Sequence, residues 1–212
     1  MAERPLSQVV RERRATPHFE PAPVPDEDLR KILQAGLSAP SGFNLQPWRF
    51  VVVRDAEQRK RLRAAAMNQQ KVEEAPVMVV ACGDSDAWHG EALEEMLRIS
   101  AEHGYGSNPE KMKQTLSDTF THHPNIAMWL NRHVMIAFTH MMLMAEALGY
   151  DTAPMEGFWE DKTRALLKIP ESVRVVALLG IGRLKGEDKK YGGRRPMKSV
   201  IFGEEWGKPI AL

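Results

Sequence analysis

Four short runs in this chain carry residue types that could do chemistry together. Arg13 and Arg14 stand side by side at the end of a stretch, Leu6 to Arg14, that reads as a helix. Guanidinium groups are planar, permanently charged and multidentate, so an adjacent pair at a helix-to-loop junction suits an anion. The second run, Ala39 to Trp48, sets Pro40, Ser41 and Asn44 between prolines. Small and amide residues there make a shaped loop whose side-chain and backbone N–H groups suit a polar ligand edge. The third is Ala153-Pro154-Met155-Glu156-Gly157-Phe158, where proline fixes the backbone and glycine lets something flat approach it. The fourth is Gly192-Gly193-Arg194-Arg195-Pro196, a possible second anion clamp. Each run has an ordinary reading as well: a solvated basic surface or tail for the arginines, and plain turns for the other two.

The elements that must position these runs follow from periodicity. Four prolines between Pro17 and Pro25 make an extended connector. Asp26 reads as an N-cap, with Leu29, Ile32, Leu33 and Leu37 at helical spacing behind it. Trp48 to Val53 reads as a strand, roughly Ala56 to Met67 as a charged helix, and Val77 to Cys82 as a strand buried on both faces. Glu91 to His103 is helical, a polar region from Gly104 to Pro109 interrupts it, and a long helix runs from Ile126 to Leu148, stopped by Gly149. Val173 to Ile181 is a third strand, and Gly186 to Leu212 is loop-like, with the potential to add an edge strand on a partner subunit. Three strands among more helices predict an α+β fold around a mixed sheet, as one domain spanning residues 1–212.

Lys plus Arg is 29 and Asp plus Glu is 28, a net charge of +1, which argues against a nucleic-acid-binding protein. The single cysteine, Cys82, allows no internal disulfide and, in an apolar strand, reads as a buried inert thiol. The opening Met1-Ala2-Glu3-Arg4-Pro5 has no apolar signal core behind it, and no apolar run is long enough to span a bilayer, so the expectation is a soluble, cytoplasmic protein without membrane contact. The glycines near Gly180 have the wrong spacing for a dinucleotide loop, and His122, His123, His133 and His140 are not spaced for a metal, so no metal is expected.

Taken together in this order and spacing, the four runs resemble the FMN-dependent nitroreductase family along the whole chain. The resemblance implies a three-layer α/β/α sandwich with a central mixed, mainly antiparallel sheet, in an intertwined homodimer with FMN at the subunit interface. It places Arg13 and Arg14 on the phosphate and ribityl chain, with Thr16 beside them as a further cofactor-binding residue. It places Pro40, Ser41 and Asn44 on the FMN of the other subunit, and Asn68 and Lys71 near the flavin. Pro154, Met155, Glu156 and Gly157 would pack on the isoalloxazine, with the Glu156 N–H toward N5, and Arg194 or Arg195 would be the last phosphate ligand. No side chain need act as a catalyst, because the flavin does the chemistry. The implied activity takes a hydride from NADPH or NADH and reduces an electron-poor acceptor, such as a nitroaromatic, a quinone or an activated alkene, by a ping-pong mechanism. Tyr105, Phe120 and Trp129, in the segment from Gly104 to Trp129, are the candidate acceptor contacts. The sequence departs from the family at Ala15 and Pro17, where a Ser and then a Lys or Arg are usual; His18, Lys71 or Arg14 could supply the missing charge. A same-fold reductive dehalogenase, a flavin-storage protein without fast turnover, and an anion-binding module without flavin are the competing readings.

Overall fold

The computed structural model describes residues 3–105 and 108–211. Four strands, β1 (Trp48–Val53), β2 (Val77–Asp84), β3 (Asp151–Met155) and β4 (Val173–Gly182), form one sheet in the order β1-β2-β4-β3. All three pairings are antiparallel; among the described residues the one parallel contact is an isolated bridge between Ala15 and Thr152. The helices are α1 (Leu6–Glu12), α2 (Asp26–Leu37), α3 (Ala56–Ala65), α4 (Gln70–Glu74), α5 (Gly90–Glu102), α6 (Pro109–Thr121), α7 (Ile126–Ala147) and α8 (Glu160–Leu167).

Alternation along the strands makes the three layers. Val77, Val79 and Ala81 of β2 pack with Ala177, Leu179 and Ile181 of β4 against Ile32 of α2 and Val134, Phe138 and Met141 of α7. The intervening Met78, Val80 and Cys82 face the other way, onto Leu62 of α3, Val72 of α4 and Leu166 of α8. Side chains of period two therefore serve two cores, which is why β2 reads as an unbroken apolar run. A bulge between Ala81 and Cys82 offsets β2 against β4 by one residue. A third, smaller core joins α5 and α6 to the loop before β1 through Leu45, Leu93, Met96, Leu116 and Phe120.

Several elements differ from expectation. Residues 151–155 form β3 rather than part of a turn. Proline cannot donate to a ladder and is confined to edge strands, so Pro154 looks like a breaker until β3 is seen to lie at the sheet's edge. The segment after Gly104 contains α6, started by Pro109 at its first position and by Asn108, whose side chain accepts from the Lys111 N–H at 2.9 Å. Gly106 and Ser107, at the centre of the expected interruption, lie outside the described residues, as do Met1, Ala2 and Leu212. The short α4 and α8 have too few turns to show a pattern. Asp26 is the first residue of α2 rather than its cap; Pro25 precedes the helix, and Asp26, Glu27 and Asp28 place negative charge at its positive end.

The chain from α1 to Phe19 crosses the β3 edge of the sheet. Val9 is fully buried, Ala15 and Thr16 lie along β3, and Phe19 is buried in the opposite core. Gly182 makes this crossing possible, because a Cβ there would meet Pro76 Cδ at 2.6 Å and Phe19 Cδ1 at 2.9 Å. Gly182→Ala is therefore expected to lower stability by about 1–3 kcal/mol through overpacking against a ring that cannot rotate away. Equilibrium denaturant unfolding checks it: an unchanged midpoint would mean that the crossing has slack.

Candidate functional site

The sequence-predicted residues divide into two groups, one along the β3 edge and one in the loop before β1. The larger group lies along the β3 edge. The Thr16 N–H donates to the Thr152 C=O at 2.9 Å, which pins the Arg13–Thr16 segment to β3. Arg13 follows the end of α1; its Nη1 is buried and has no hydrogen-bond partner. A buried, charged donor without an acceptor is costly, so this atom is built for an acceptor that the protein itself does not supply.

Arg14 turns back to cap α1, its Nη1 donating to the carbonyls of Arg11, Glu12 and Arg13 at 3.0, 2.8 and 2.9 Å. Its guanidinium also sits 4.6 Å from the centre of the Tyr191 ring, and that of Arg194 sits 5.4 Å from the same centre. The tail thus folds back over α1, and the fold distinguishes between its two arginines: Arg194, not Arg195, shares the cleft lined by Val10, Arg11, Arg14 and Tyr191. Two guanidiniums on one ring repel each other, and an anion between them would relieve that repulsion.

Further along the edge, Asn68 precedes α4 and Lys71 lies in its first turn. Met67 and Asn68 hold left-handed backbone angles, φ +55° and +57°. Gln69, which the sequence reading passed over, joins this turn to the Pro154–Gly157 run. Its Nε2 donates to the Gly157 C=O at 2.7 Å and to the Ala66 C=O at 3.2 Å. A Cβ on Gly157 would sit 3.1 Å from that nitrogen, so glycine is what lets the two turns touch. Glu156 is exposed at the tip, with its C=O accepting from the Phe158 N–H at 3.1 Å. Met155 is buried beneath, and Pro154 is half-buried.

The charge in this group is unbalanced. Among the described residues, no carboxylate lies within ion-pair distance of Arg13, Arg14, Lys71 or Arg194, whereas Arg4, Arg49, Arg63 and Arg164 are all paired. Burial, and then the nearby Lys189, hold the Lys71 ammonium below the usual lysine range. This bears on the departure at Ala15 and Pro17. His18 is held at 3.1 Å by Glu74 Oε2, which also accepts from the Phe19 N–H at 3.3 Å. Arg14 is held by carbonyls and Tyr191, which leaves Lys71 as the cation without a fixed partner.

The second group is the loop of residues 40–47. Ser41 Oγ accepts from the Gln46 N–H at 2.9 Å, and Phe43, Asn44 and Gln46 all have positive φ, at +54°, +56° and +47°. Left-handed geometry at non-glycine residues is strained and gathers at functional sites. This loop packs on the α7 face of the sheet: a Cβ on Gly42 would lie 3.2 Å from His133 Nε2 and 3.4 Å from the Trp129 ring. Arg13 acts electrostatically on Glu146, thirteen residues further along α7, or about 20 Å along the helix axis. Pro40, Ser41 and Asn44 are therefore not brought to Arg13 within one chain.

The three aromatic candidates also separate. Phe120 is 3% exposed, stacked on Trp88 at 5.1 Å and edge-on to Trp129 at 4.8 Å. It packs in the α5–α6 core. Trp129 is half-buried, 4.1 Å from His133. Tyr105 is exposed and lines an apolar cavity of about 290 Å³ with Phe43, Met96, Leu97 and Met112. Cys82 is buried, which pushes its thiol up to about 12 and keeps it uncharged at neutral pH. Among the described residues, no helix is long and apolar enough to cross a membrane, and no three His, Cys, Asp or Glu side chains gather as a metal site.

Residues 10–183, which contain three of the four runs and the whole sheet, match the family model described as Nitroreductase family. The chain belongs to the nitroreductase family. This nitroreductase-family chain is 35% identical over 192 residues to a protein of Thermus thermophilus named NADH dehydrogenase, covering 90% of this chain and 91% of that one. It is 29% identical over 209 residues to MhqN of Bacillus subtilis, whose name places it among NAD(P)H nitroreductases, covering 95% and 98%. Among solved structures, a protein of Exiguobacterium sibiricum crystallised in complex with FMN superposes with a TM-score of 0.87 at 24% identity, covering 96% and 99%. The chain is an oxidoreductase by family, with the α+β fold that the resemblance implied.

Gln69→Ala removes the donor that joins the two turns at the β3 edge. The expected cost is about 1 kcal/mol of stability, in the range of a lost hydrogen bond. Amide hydrogen exchange checks where that cost falls. Faster exchange confined to residues around 67–69 and 156–158 is the expected pattern, and unchanged rates there would mean that Gln69 does not tie the turns.

Proposed function

We propose that this protein is an FMN-dependent oxidoreductase that takes a hydride from NADPH or NADH and reduces an electron-poor acceptor, such as a nitroaromatic, a quinone or an activated alkene, in two successive half-reactions. The observation that carries the reading is the buried, unpartnered Nη1 of Arg13 within a set of cations that have no carboxylate partners. The chemistry that FMN supplies when bound is hydride acceptance from a nicotinamide and delivery to the acceptor. The chain's own residues bind and orient. Arg13, Arg14 and Arg194 hold the phosphate, and Thr16 holds the ribityl chain. The Pro154–Gly157 run packs against the ring, with the Glu156 N–H directed to it, and Asn68 and Lys71 lie at its edge. Lys71 places positive charge where electrons arrive, which favours reduction. The cavity beside Tyr105 receives the acceptor.

We further propose that the site is completed by a second copy. The loop carrying Pro40, Ser41 and Asn44 lies on the far face of the sheet from the Gly157 turn, so a cofactor that touches both needs that loop from another subunit. Two features support an exchanged tail. Met197, Val200, Ile201 and Trp206 are exposed, Trp206 at 92%. The β3 edge is occupied by Ala15 and Thr16, while β1 offers the sheet's open edge to a partner's tail. In this reading the chain is one FMN-binding domain over residues 1–212, working as a cytoplasmic homodimer.

Titrating FMN into the apoprotein, then adding NADPH or NADH without oxygen, tests the enzyme reading. Binding followed by rapid bleaching, with colour restored by a quinone or nitroaromatic, is the expected result. Bound flavin that does not bleach would point to storage, and no binding at all would overturn the reading. Arg13→Ala should weaken FMN binding by about 1.5–3 kcal/mol, the range for a charge-assisted hydrogen bond, whereas an unchanged affinity would remove Arg13 from the site. Truncation after Ser199 is expected to yield monomers with much weaker FMN binding. Sedimentation velocity checks this, and an intact dimer would refute the exchanged tail.

A further inference from the structure

Beneath the Arg13–Thr16 segment lies a buried polar node that the proposed mechanism does not use. Glu146, near the end of α7, is 3% exposed, and Thr152 of β3 is fully buried. Thr152 Oγ1 donates to Glu146 Oε1 at 2.7 Å, and the Thr152 C=O accepts the Thr16 N–H, so the carboxylate and the arginine segment hang on one residue. Three charged groups face Glu146 from the neighbouring segments: Arg13 at the end of α1, Arg4 just before α1, and Asp151 on β3. Arg4 is paired with Glu12 at 2.7 Å, and Asp151 Oδ2 accepts from the Leu184 N–H at 2.7 Å. Arg13 is the cation of the set without a hydrogen-bonded partner on its buried nitrogen.

We propose that Glu146 is a positioning residue that couples cofactor binding to proton uptake: its carboxylate, beyond ion-pair distance, offsets part of the charge of Arg13 before FMN binds, and takes a proton when the FMN phosphate assumes that role. This rests on the reading of Arg13 as a phosphate ligand. The step moves one proton from the buffer to the Glu146 carboxylate, whose Oε1 is already held by Thr152, and changes no other bond. The physical reason is competition. A phosphate beside Arg13 neutralises the field that favours the carboxylate and adds negative charge of its own, and burial opposes leaving that carboxylate charged. Glu146 is suited to respond near neutrality, because burial, against the opposing Thr152 hydrogen bond, pushes it up to about 7. The sign follows. A carboxyl raised in this way favours the folded state while protonated, and that contribution is lost as the pH rises through about 7. FMN binding should then weaken over the same interval, because the proton must be recovered.

Calorimetric titration of FMN into the apoprotein in two buffers of different ionisation enthalpy counts the protons. At about pH 7 the wild type should take up as much as about half a proton more per FMN than Glu146→Gln, since a group at its midpoint is half ionised. The ionisation of the FMN phosphate is common to both proteins and cancels. Riboflavin, which lacks the phosphate, should bind with no such difference. At about pH 8, Glu146→Gln should bind FMN several-fold more tightly than wild type, with the two converging at about pH 6. Equal proton counts in the two proteins, or an affinity loss of the same size at every pH, would overturn the proposal and leave Glu146 a structural residue. If Glu146→Gln does not fold, Thr152→Val serves instead: losing the hydroxyl that favours the carboxylate should move the midpoint of the FMN pH dependence upward, and an unmoved midpoint overturns the proposal. Absence of any FMN binding by the wild type would overturn the FMN reading itself, and this proposal with it; FMN binding without the predicted difference overturns this proposal alone.

Discussion

An edge strand leaves a row of backbone donors and acceptors that must find partners. On β3 the need is met from within the chain, by the bond from the Thr16 N–H to the Thr152 C=O and the bridge between Ala15 and Thr152. The rest of the site depends on this contact. It stops α1 from continuing, carries the chain across the sheet to Phe19, and leaves Arg13 and Arg14 displayed at the rim. Thr152 serves both sides of the contact, with its carbonyl on the arginine segment and its hydroxyl on Glu146.

Around this rim the protein tolerates unfavourable arrangements that a purely structural surface would lose. Among the described residues, five of the seven non-glycine residues with positive φ lie in the loops of residues 40–47 and 67–68. Arg14 and Arg194 share one tyrosine ring, and Lys71 lies close enough to Lys189 to be affected by its charge. Strain and like charge of this kind are retained where a ligand compensates for them. The strained loops also differ in address: one faces the α7 layer, the other the α3–α4 layer. In the proposed dimer a site that uses both is shared between two chains, and the exposed apolar tail and open β1 edge are the surfaces such sharing would use.

Much of this was legible in the residues. Short apolar runs marked β1, β2 and β4, helical spacing marked α2, and the length of its pattern marked α7. The four chemical runs were legible because arginine pairs and Pro/Gly-bounded loops have few structural uses in common. Elements of a few residues, α4, β3 and α8, carried no such repeat, and Pro154 disguised β3 as a turn. The burial of Phe120 was not legible, because an aromatic in a polar segment has no visible side until α5 and α6 pack around it.

The sequence by itself determined the layer pattern, the near-neutral charge and which residue types could grip an anionic, flat cofactor. The tertiary structure alone decided which of those residues meet. It set Arg194, and not Arg195, beside Tyr191 by folding the tail back, and engaged His18 with Glu74. It brought in Gln69 and Glu146, and set Ser41 and Asn44 far along α7 from Arg13. Local pattern reports on neighbours within a few residues, whereas these pairings join positions far apart in the chain, and only the packing of the layers fixes them.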